Sequence, residues 1–396
     1  MNKDTKCILP WIHQHGDISG NYALCCFTLN KPDRSDVFFS KDESPLKAWN
    51  SDYLKSARLA MLSKKRISAC SVCYNVEDNG VESHRQRVNN KFSNYSYLYS
   101  TTKPDGSLKT PPIYLDFRFG NLCNFSCRMC GSDASSSWVK ESKALGYLDK
   151  DAPAFVDEWT DNNLFWRDLD TIKNSVKLVY FAGGEPLVQE GHYKFLKFMI
   201  DNNCTDIELN YNTNLSYNGS FKGNDVFEMW SKFKEVALWP SIDGFGKKAE
   251  YGRKGLNWGL FSKNANKFNS LISSYSIVNN IYSITSIPDL LLWIKKQNKS
   301  FFITNLTHPL KMSVTILDKE TKKTISNQYK KFLLDNLDSF TETEVKNILD
   351  VIKYMMSSDN SNQDKIFYSY NETLDSMRKE SFIEVYPELA EWYKNI

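Results

Sequence analysis

The chain has 396 residues, 41% of them hydrophobic and 24% charged, which excludes a disordered polymer and leaves room for two or three folding units. Its 50 basic and 47 acidic residues leave a net charge of +3, too near balance for a general polyanion binder. No run of about 18 apolar residues and no signal-peptide core is present, so the expectation is a soluble, unexported, cytoplasmic protein.

Five of the nine cysteines, Cys7, Cys25, Cys26, Cys70 and Cys73, fall in the first 110 residues. Without an export signal, metal or cluster ligation is preferred to disulfides. Gly16-Asp17 and Ser19-Gly20-Asn21 carry hairpin signals. From Pro45 to Leu62, the residues Leu46, Trp49, Tyr53, Leu54, Ala57 and Met61 recur at helical spacing. Residues 91–112 have few aliphatics, prolines at 111 and 112, and the turn Pro104-Asp105-Gly106, and they read as a linker.

From Ile113 onward strand and helix patterns alternate, the mark of an α/β unit with a parallel sheet. Strands are predicted at 113–119, 176–182, 206–212, 235–242, 276–286 and 300–307. Helices are predicted near 190–202, 222–233, 257–271 and 288–297, with a mostly helical insertion over 134–172. In the first strand Leu115, Phe117 and Phe119 share a face that should meet helices. Asp116 and Arg118 then lie on a polar interior face, as site groups or as a buried ion pair. Glu208, Asn210 and Asn212 should point inward likewise. Residues 311–396 are rich in Lys, Glu, Asp and Leu, and read as a helical extension over 325–355 and 372–394 with no evident chemistry.

Two motifs follow predicted strands. Cys123, Cys127 and Cys130 have the spacing C-x3-C-x2-C. Three thiolates are one fewer than a cubic [4Fe–4S] cluster needs, so one iron is left to chelate a small molecule. A zinc site would need a fourth Cys or His within finger distance, and none lies there. Three core thiols are the other reading, but Asn124, Ser126 and Arg128 do not suit a core. The second motif ends the apolar run Lys177–Leu187 at Gly183-Gly184-Glu185-Pro186. Such a run suits a strand buried on both faces, and glycines at its end allow close backbone approach. Glu185 can accept from an ammonium group. Taken alone, the tripeptide could be an ordinary turn.

The cysteine triplet and the GGEP stretch together resemble the radical S-adenosylmethionine (SAM) superfamily, over roughly residues 5–310. The resemblance implies a partial (β/α)6 TIM-like barrel, with its chemistry at the strand ends. It implies a [4Fe–4S] cluster on Cys123, Cys127 and Cys130 whose open iron binds SAM. SAM is then cleaved to methionine and a 5′-deoxyadenosyl radical that abstracts a substrate hydrogen, with electrons from a flavodoxin- or ferredoxin-type donor. Gly183, Gly184 and Glu185 inherit the methionyl amine. The stretch Ala237–Gly246 resembles the family's fourth-strand pattern, giving Ser241 to the SAM ribose and Arg253 to its carboxylate. Asn212 and Thr213, followed by Asn214, match a pair near the ribose. Ordinary turn chemistry is the alternative for these. Met129 stands where many relatives carry an aromatic that packs on adenine.

Cys7, Gly20, Cys25 and the Cys70-x2-Cys73 pair resemble the SPASM/twitch pattern. This implies a second, auxiliary [4Fe–4S] cluster on Cys7, Cys25, Cys70 and Cys73. The module precedes the barrel here, an order that resembles twitch-containing radical SAM proteins, some of them phage-encoded. A four-cysteine zinc site fits the spacing equally. Cys26 is an alternative to Cys25 or a buried thiol, since strand neighbours point to opposite faces. Cys204 reads as a simple hydrophobe, His13 and His15 as packing residues, and His308 as a candidate substrate contact. The expected domains are 1–110, 111–310 and 311–396. The expected function is oxidative modification of a peptide or protein. The alternatives are dehydrogenation or epimerisation of a small metabolite such as a sugar or nucleotide, and a non-catalytic metal-binding scaffold.

Overall fold

The computed structural model describes residues 5–28, 44–78, 82–156, 159–216 and 220–396. They form a mixed α/β fold that divides into two compact units. Residues 1–123, 132–211 and 219–236 make the first, and 124–131, 212–218 and 237–396 the second.

The first unit contains β1 (His13–Gly16), β2 (Tyr22–Ala23), β3 (Tyr114–Phe117) and β4 (Leu178–Phe181), and most of β5 (Glu208–Thr213). β1 and β2 form the hairpin that the Gly and Asn signals predict. Asp17 closes it by accepting from the backbone N–H groups of Ser19 and Asn21, and Gly20 takes φ +78°. β3, β4 and β5 are parallel neighbours in chain order. β1 adds a further parallel strand on β3, with His15 opposite Asp116. The N-terminal segment therefore shares the sheet, which its four polar or small residues, His-Gln-His-Gly, did not announce.

Alternation along the strands sorts the side chains as expected. Phe117 packs on Trp159 and Phe165, with centroids 4.9 and 5.1 Å away, and Phe181 stacks on Tyr211 at 4.8 Å. The opposite face carries a polar row. His15 faces Asp116 across β1 and β3, and Tyr180 faces Asn210 across β4 and β5.

Several local readings change. The expected helix over 45–62 is two helices, Pro45–Trp49 and Asp52–Leu62. Ser51 accepts from Leu54 N–H and so caps the second, ending the first one turn early. The stretch read as a linker contains a 3-10 helix, Ser93–Thr101, and buries Leu98 and Leu108 in the N-terminal core with Trp11, Trp49, Leu54 and Met61. Arg58, fully buried, ties this stretch down by donating to the carbonyls of Pro10, Trp49 and Gly106. The insertion is less helical than expected. It holds the helices Val139–Ala144 and Asn163–Ile172 with a short 3-10 turn, and turns elsewhere.

β6 (Glu235–Pro240) neighbours β5 and leads into the second unit. There it is followed by β7 (Ser274–Asn279) and β8 (Ser300–Asn305), parallel to each other in register. Parallel bridges from Leu238 to Ile272 and from Ser241 to Ser276 join β6 to β7. β6 to β8 thus follow one another in chain order in this unit, as β3 to β5 do in the first. The last 78 residues are chiefly helices: Lys319–Asn336, Glu342–Met356, Asp364–Arg378, Phe382–Val385 and Ala390–Lys394. Among the described residues no helix is long and apolar enough to cross a membrane.

Candidate cofactor site

In the first unit, the end of β4 is bonded to the start of the cysteine loop. Gly184 N–H donates to Gly120 O at 3.0 Å and Glu185 N–H to Leu122 O at 2.8 Å. Gln189 reinforces the join by donating from its amide to Gly120 O at 3.0 Å. Both glycines have a steric reason. Gly183 sits at φ +109°, a left-handed conformation that L side chains rarely adopt, and a Cβ on Gly184 would lie 2.2 Å from Leu122 O. Glu185 is almost fully buried, and its carboxylate accepts from Leu187 N–H at 3.2 Å. Cys123 is fixed from the insertion, where Ser136 Oγ accepts from its N–H at 3.3 Å and Ser137 donates to its carbonyl at 2.7 Å. Gly184→Ala should push this loop away from β4 and destabilise the first unit by about 1–3 kcal/mol, the usual range for overpacking. Thermal unfolding of the metal-free protein measures it.

In the second unit, Cys127 lies in a two-residue ribbon, Ser126–Cys127 paired with Arg253–Lys254, so that Cys127 is opposite Arg253. Cys130 N–H closes a turn onto Cys127 O at 2.9 Å. Burial pushes the Cys127 thiol up, and the Arg253 guanidinium opposes that rise. Arg253 is held by Asp243, which accepts from Nε at 2.8 Å. Ser241 donates its N–H to Thr213 O at 2.8 Å, and Asn212 precedes Thr213 on β5. Met129 is half-buried in the same loop.

Two anchors of the cysteine loop escaped the sequence reading. Asn214 donates to the Asn124 side chain at 2.9 Å, and Asn124 donates to Ser216 Oγ at 2.7 Å. Arg128, between Cys127 and Cys130, is fully buried and donates to Asn371 (2.8 Å), Asp375 (2.5 Å) and Glu380 (2.7 Å). Its guanidinium lies 3.7 Å from the Tyr251 ring centroid. Tyr370 donates to Arg128 O and Arg378 to Ser126 O. The C-terminal extension, which carried no evident chemistry, therefore grips this loop. An arginine between two cysteines was the one available signal.

The N-terminal thiols are electrostatic neighbours. Cys7 interacts electrostatically with Cys25, Cys70 and Cys73, and burial and then Cys25 raise it well above the ordinary thiol range. Burial pushes Cys25 and Cys70 up to about 12, with neighbouring thiols adding to the rise. Cys26 is exposed, and its charged neighbours include Asp116 and Arg118. No disulfide links the cysteines, and among the described residues no three His, Cys, Asp or Glu side chains are grouped tightly enough for a single metal ion. A buried hydroxyl, Tyr53 Oη, has no hydrogen-bond partner among the described residues, and Cys70 and Cys25 are its electrostatic neighbours. An orphan donor beside buried thiols fits a sulfur-rich group, so the residues present suit an iron–sulfur centre.

Asp116 is one hub of a buried polar group. It accepts from His15 Nδ1 at 2.9 Å and from Arg118 Nε at 3.3 Å, with His13 Nε2 at 3.9 Å. Burial would raise its carboxyl, but His15 and Arg118 outweigh that and hold it below the usual range. Burial lowers His13 to about 3, so it is neutral. Asp116 and Arg118 thus form the ion pair, the second of the two readings. His308 is exposed, and Cys204 is buried and bonded to Asn174.

No protein-family model matches the chain. A GTP 3′,8-cyclase of Aliarcobacter butzleri (strain RM4018) is 30% identical over 125 residues, covering 32% of this chain and 32% of that relative. Among solved structures, Streptococcus suis SuiB bound to precursor peptide SuiA matches at 14% identity and a TM-score of 0.40, covering 72% of this chain and 64% of SuiB. SuiB bound to S-adenosylmethionine gives 14% identity and a TM-score of 0.39, covering 71% and 64%. The chain thus spans about a third of the curated relative it matches, and under two-thirds of SuiB.

Proposed function

We propose that the chain is a radical SAM enzyme carrying out an oxidative modification of a peptide or protein, a reading supported by its C-x3-C-x2-C and GGEP motifs and by the local match to a GTP 3′,8-cyclase. Cys123, Cys127 and Cys130 hold one [4Fe–4S] cluster, and Cys7, Cys25, Cys70 and Cys73 a second. When bound, the first cluster and SAM supply reductive cleavage of SAM and hydrogen-atom abstraction. The observation that supports this best is the joining of the two motifs: Glu185 N–H on Leu122 O puts the GGEP turn against the residue before Cys123.

The protein's own groups do the positioning. Gly183 and Gly184 leave the backbone bare, Glu185 offers a buried carboxylate for the SAM amine, and Arg253 brings a cation to Cys127. Asn212, Thr213 and Ser241 supply strand-end polar groups for the ribose. Four cysteines saturate the auxiliary site, so a substrate has no open iron there, and electron acceptance is the role that remains. The substrate then loses a hydrogen atom, an electron and a proton in total, and SAM is consumed in proportion to product.

A second reading takes a nucleotide as substrate. It is favoured by the curated match, whose name specifies GTP. Incubation of the reduced, anaerobically reconstituted protein with SAM and either host peptide fractions or nucleotides separates the two. Cys70→Ala/Cys73→Ala should keep deuterium transfer from a labelled substrate into 5′-deoxyadenosine and lose the oxidised product. Unchanged product yield in that variant would refute the electron-acceptor role.

A further inference from the structure

We infer that Tyr53 donates a hydrogen bond to the auxiliary cluster and holds its reduction potential up, an inference that rests on the auxiliary-cluster reading above. Tyr53 sits in the first turn of the helix Asp52–Leu62, whose Leu54, Ala57 and Met61 enter the N-terminal core. Tyr53, Cys25 and Cys70 pack against that same core. The Tyr53 hydroxyl oxygen is buried and has no hydrogen-bond partner among the described residues.

Its neighbours behave differently. Tyr74 donates to Thr5 O at 3.2 Å, Trp11 to Thr102 Oγ1 at 2.8 Å and Trp49 to Thr110 O at 2.9 Å. Arg85, the cation that acts on Cys70, is committed to Glu77 and to the Lys6 carbonyl. Tyr53 is thus a buried donor lacking an acceptor, and its electrostatic neighbours are Cys70 and Cys25. A tyrosine hydroxyl is ordinarily protonated at neutral pH and is therefore available as an O–H donor. Buried donors are retained where a partner arrives, and thiolate or sulfide sulfur is the acceptor such a centre brings. Hydrogen bonds to cluster sulfurs stabilise the more negative, reduced state and raise the potential. A higher potential suits a centre that takes an electron from a substrate.

The test is Tyr53→Phe in the full chain, reconstituted anaerobically with iron and sulfide. Iron should stay at about eight per chain. The auxiliary midpoint, followed by a redox titration with EPR detection, should shift to a more negative value. Tyr53→His, which keeps a ring donor, should bring it back toward wild type. The metal-free Tyr53→Phe protein should melt at the same or a higher temperature, because the deleted hydroxyl has no partner there. An unchanged midpoint with an intact cluster overturns the inference. So does a lower melting temperature of the metal-free variant, or loss of the second cluster from the variant alone, since each marks a structural hydroxyl. Wild-type protein with about four irons defeats the auxiliary reading itself, and the inference falls with it.

Discussion

Replacing Cys123, Cys127 and Cys130 together by Ala should leave a protein that keeps about half of its iron and cleaves no SAM. The three thiols lie in one short loop, and its anchors do not depend on sulfur. Cys123 is fixed through Ser136 and Ser137, Cys127 through its ribbon with Arg253, and the segment between them through Asn124 and Asn214. The loop should therefore persist without its cluster, and the loss should be confined to one centre. Anaerobic reconstitution, iron and sulfide analysis, and detection of 5′-deoxyadenosine under dithionite measure both effects. Full iron retention in the variant would remove the triplet from the ligand set. A wild-type protein with one zinc and one cluster would return the N-terminal cysteines to the zinc reading.

Arg128→Ala should unfold or loosen the second unit at a cost of about 3–5 kcal/mol, the usual penalty for breaking a buried ion pair. The guanidinium has no exposed surface and satisfies Asn371, Asp375 and Glu380 at once. Its removal leaves the buried Asp375 without its cation, while Glu380 keeps only Lys254. Arg128→Lys should not restore stability, since one ammonium cannot reproduce a planar fork stacked 3.7 Å from the Tyr251 centroid. Cluster loading should fall in parallel, because Arg128 separates Cys127 from Cys130. Wild-type melting and full iron content in Arg128→Ala would show that the C-terminal extension does not hold the loop.

The strands were readable because a buried parallel strand leaves an unbroken apolar trace, as Leu178–Phe181 does. The interior placement of Asp116 followed from simple alternation with Leu115 and Phe117. The insertion over 134–172 was misjudged because turns such as Gly146, at φ +73°, divide it into short helices. The supposed linker was misjudged because both of its leucines, Leu98 and Leu108, are inserted into the core. Low apolar content implied exposure, yet side-chain bonds from Asn50 and Trp49 to its carbonyls pin it down.

What the sequence determined by itself is local: the C-x3-C-x2-C spacing, the GGEP turn and the order of six strands. Each depends on residues within one loop or one strand, where spacing and periodicity act directly. What the tertiary structure decided is which distant groups meet. It set His15 on Asp116 across 101 residues and brought Asp375 to Arg128 across 247. A buried charge requires a partner, but chain chemistry does not say which of many carboxylates will supply it. Only the packing of β1 on β3, and of the helix Asp364–Arg378 on the cysteine loop, makes that choice.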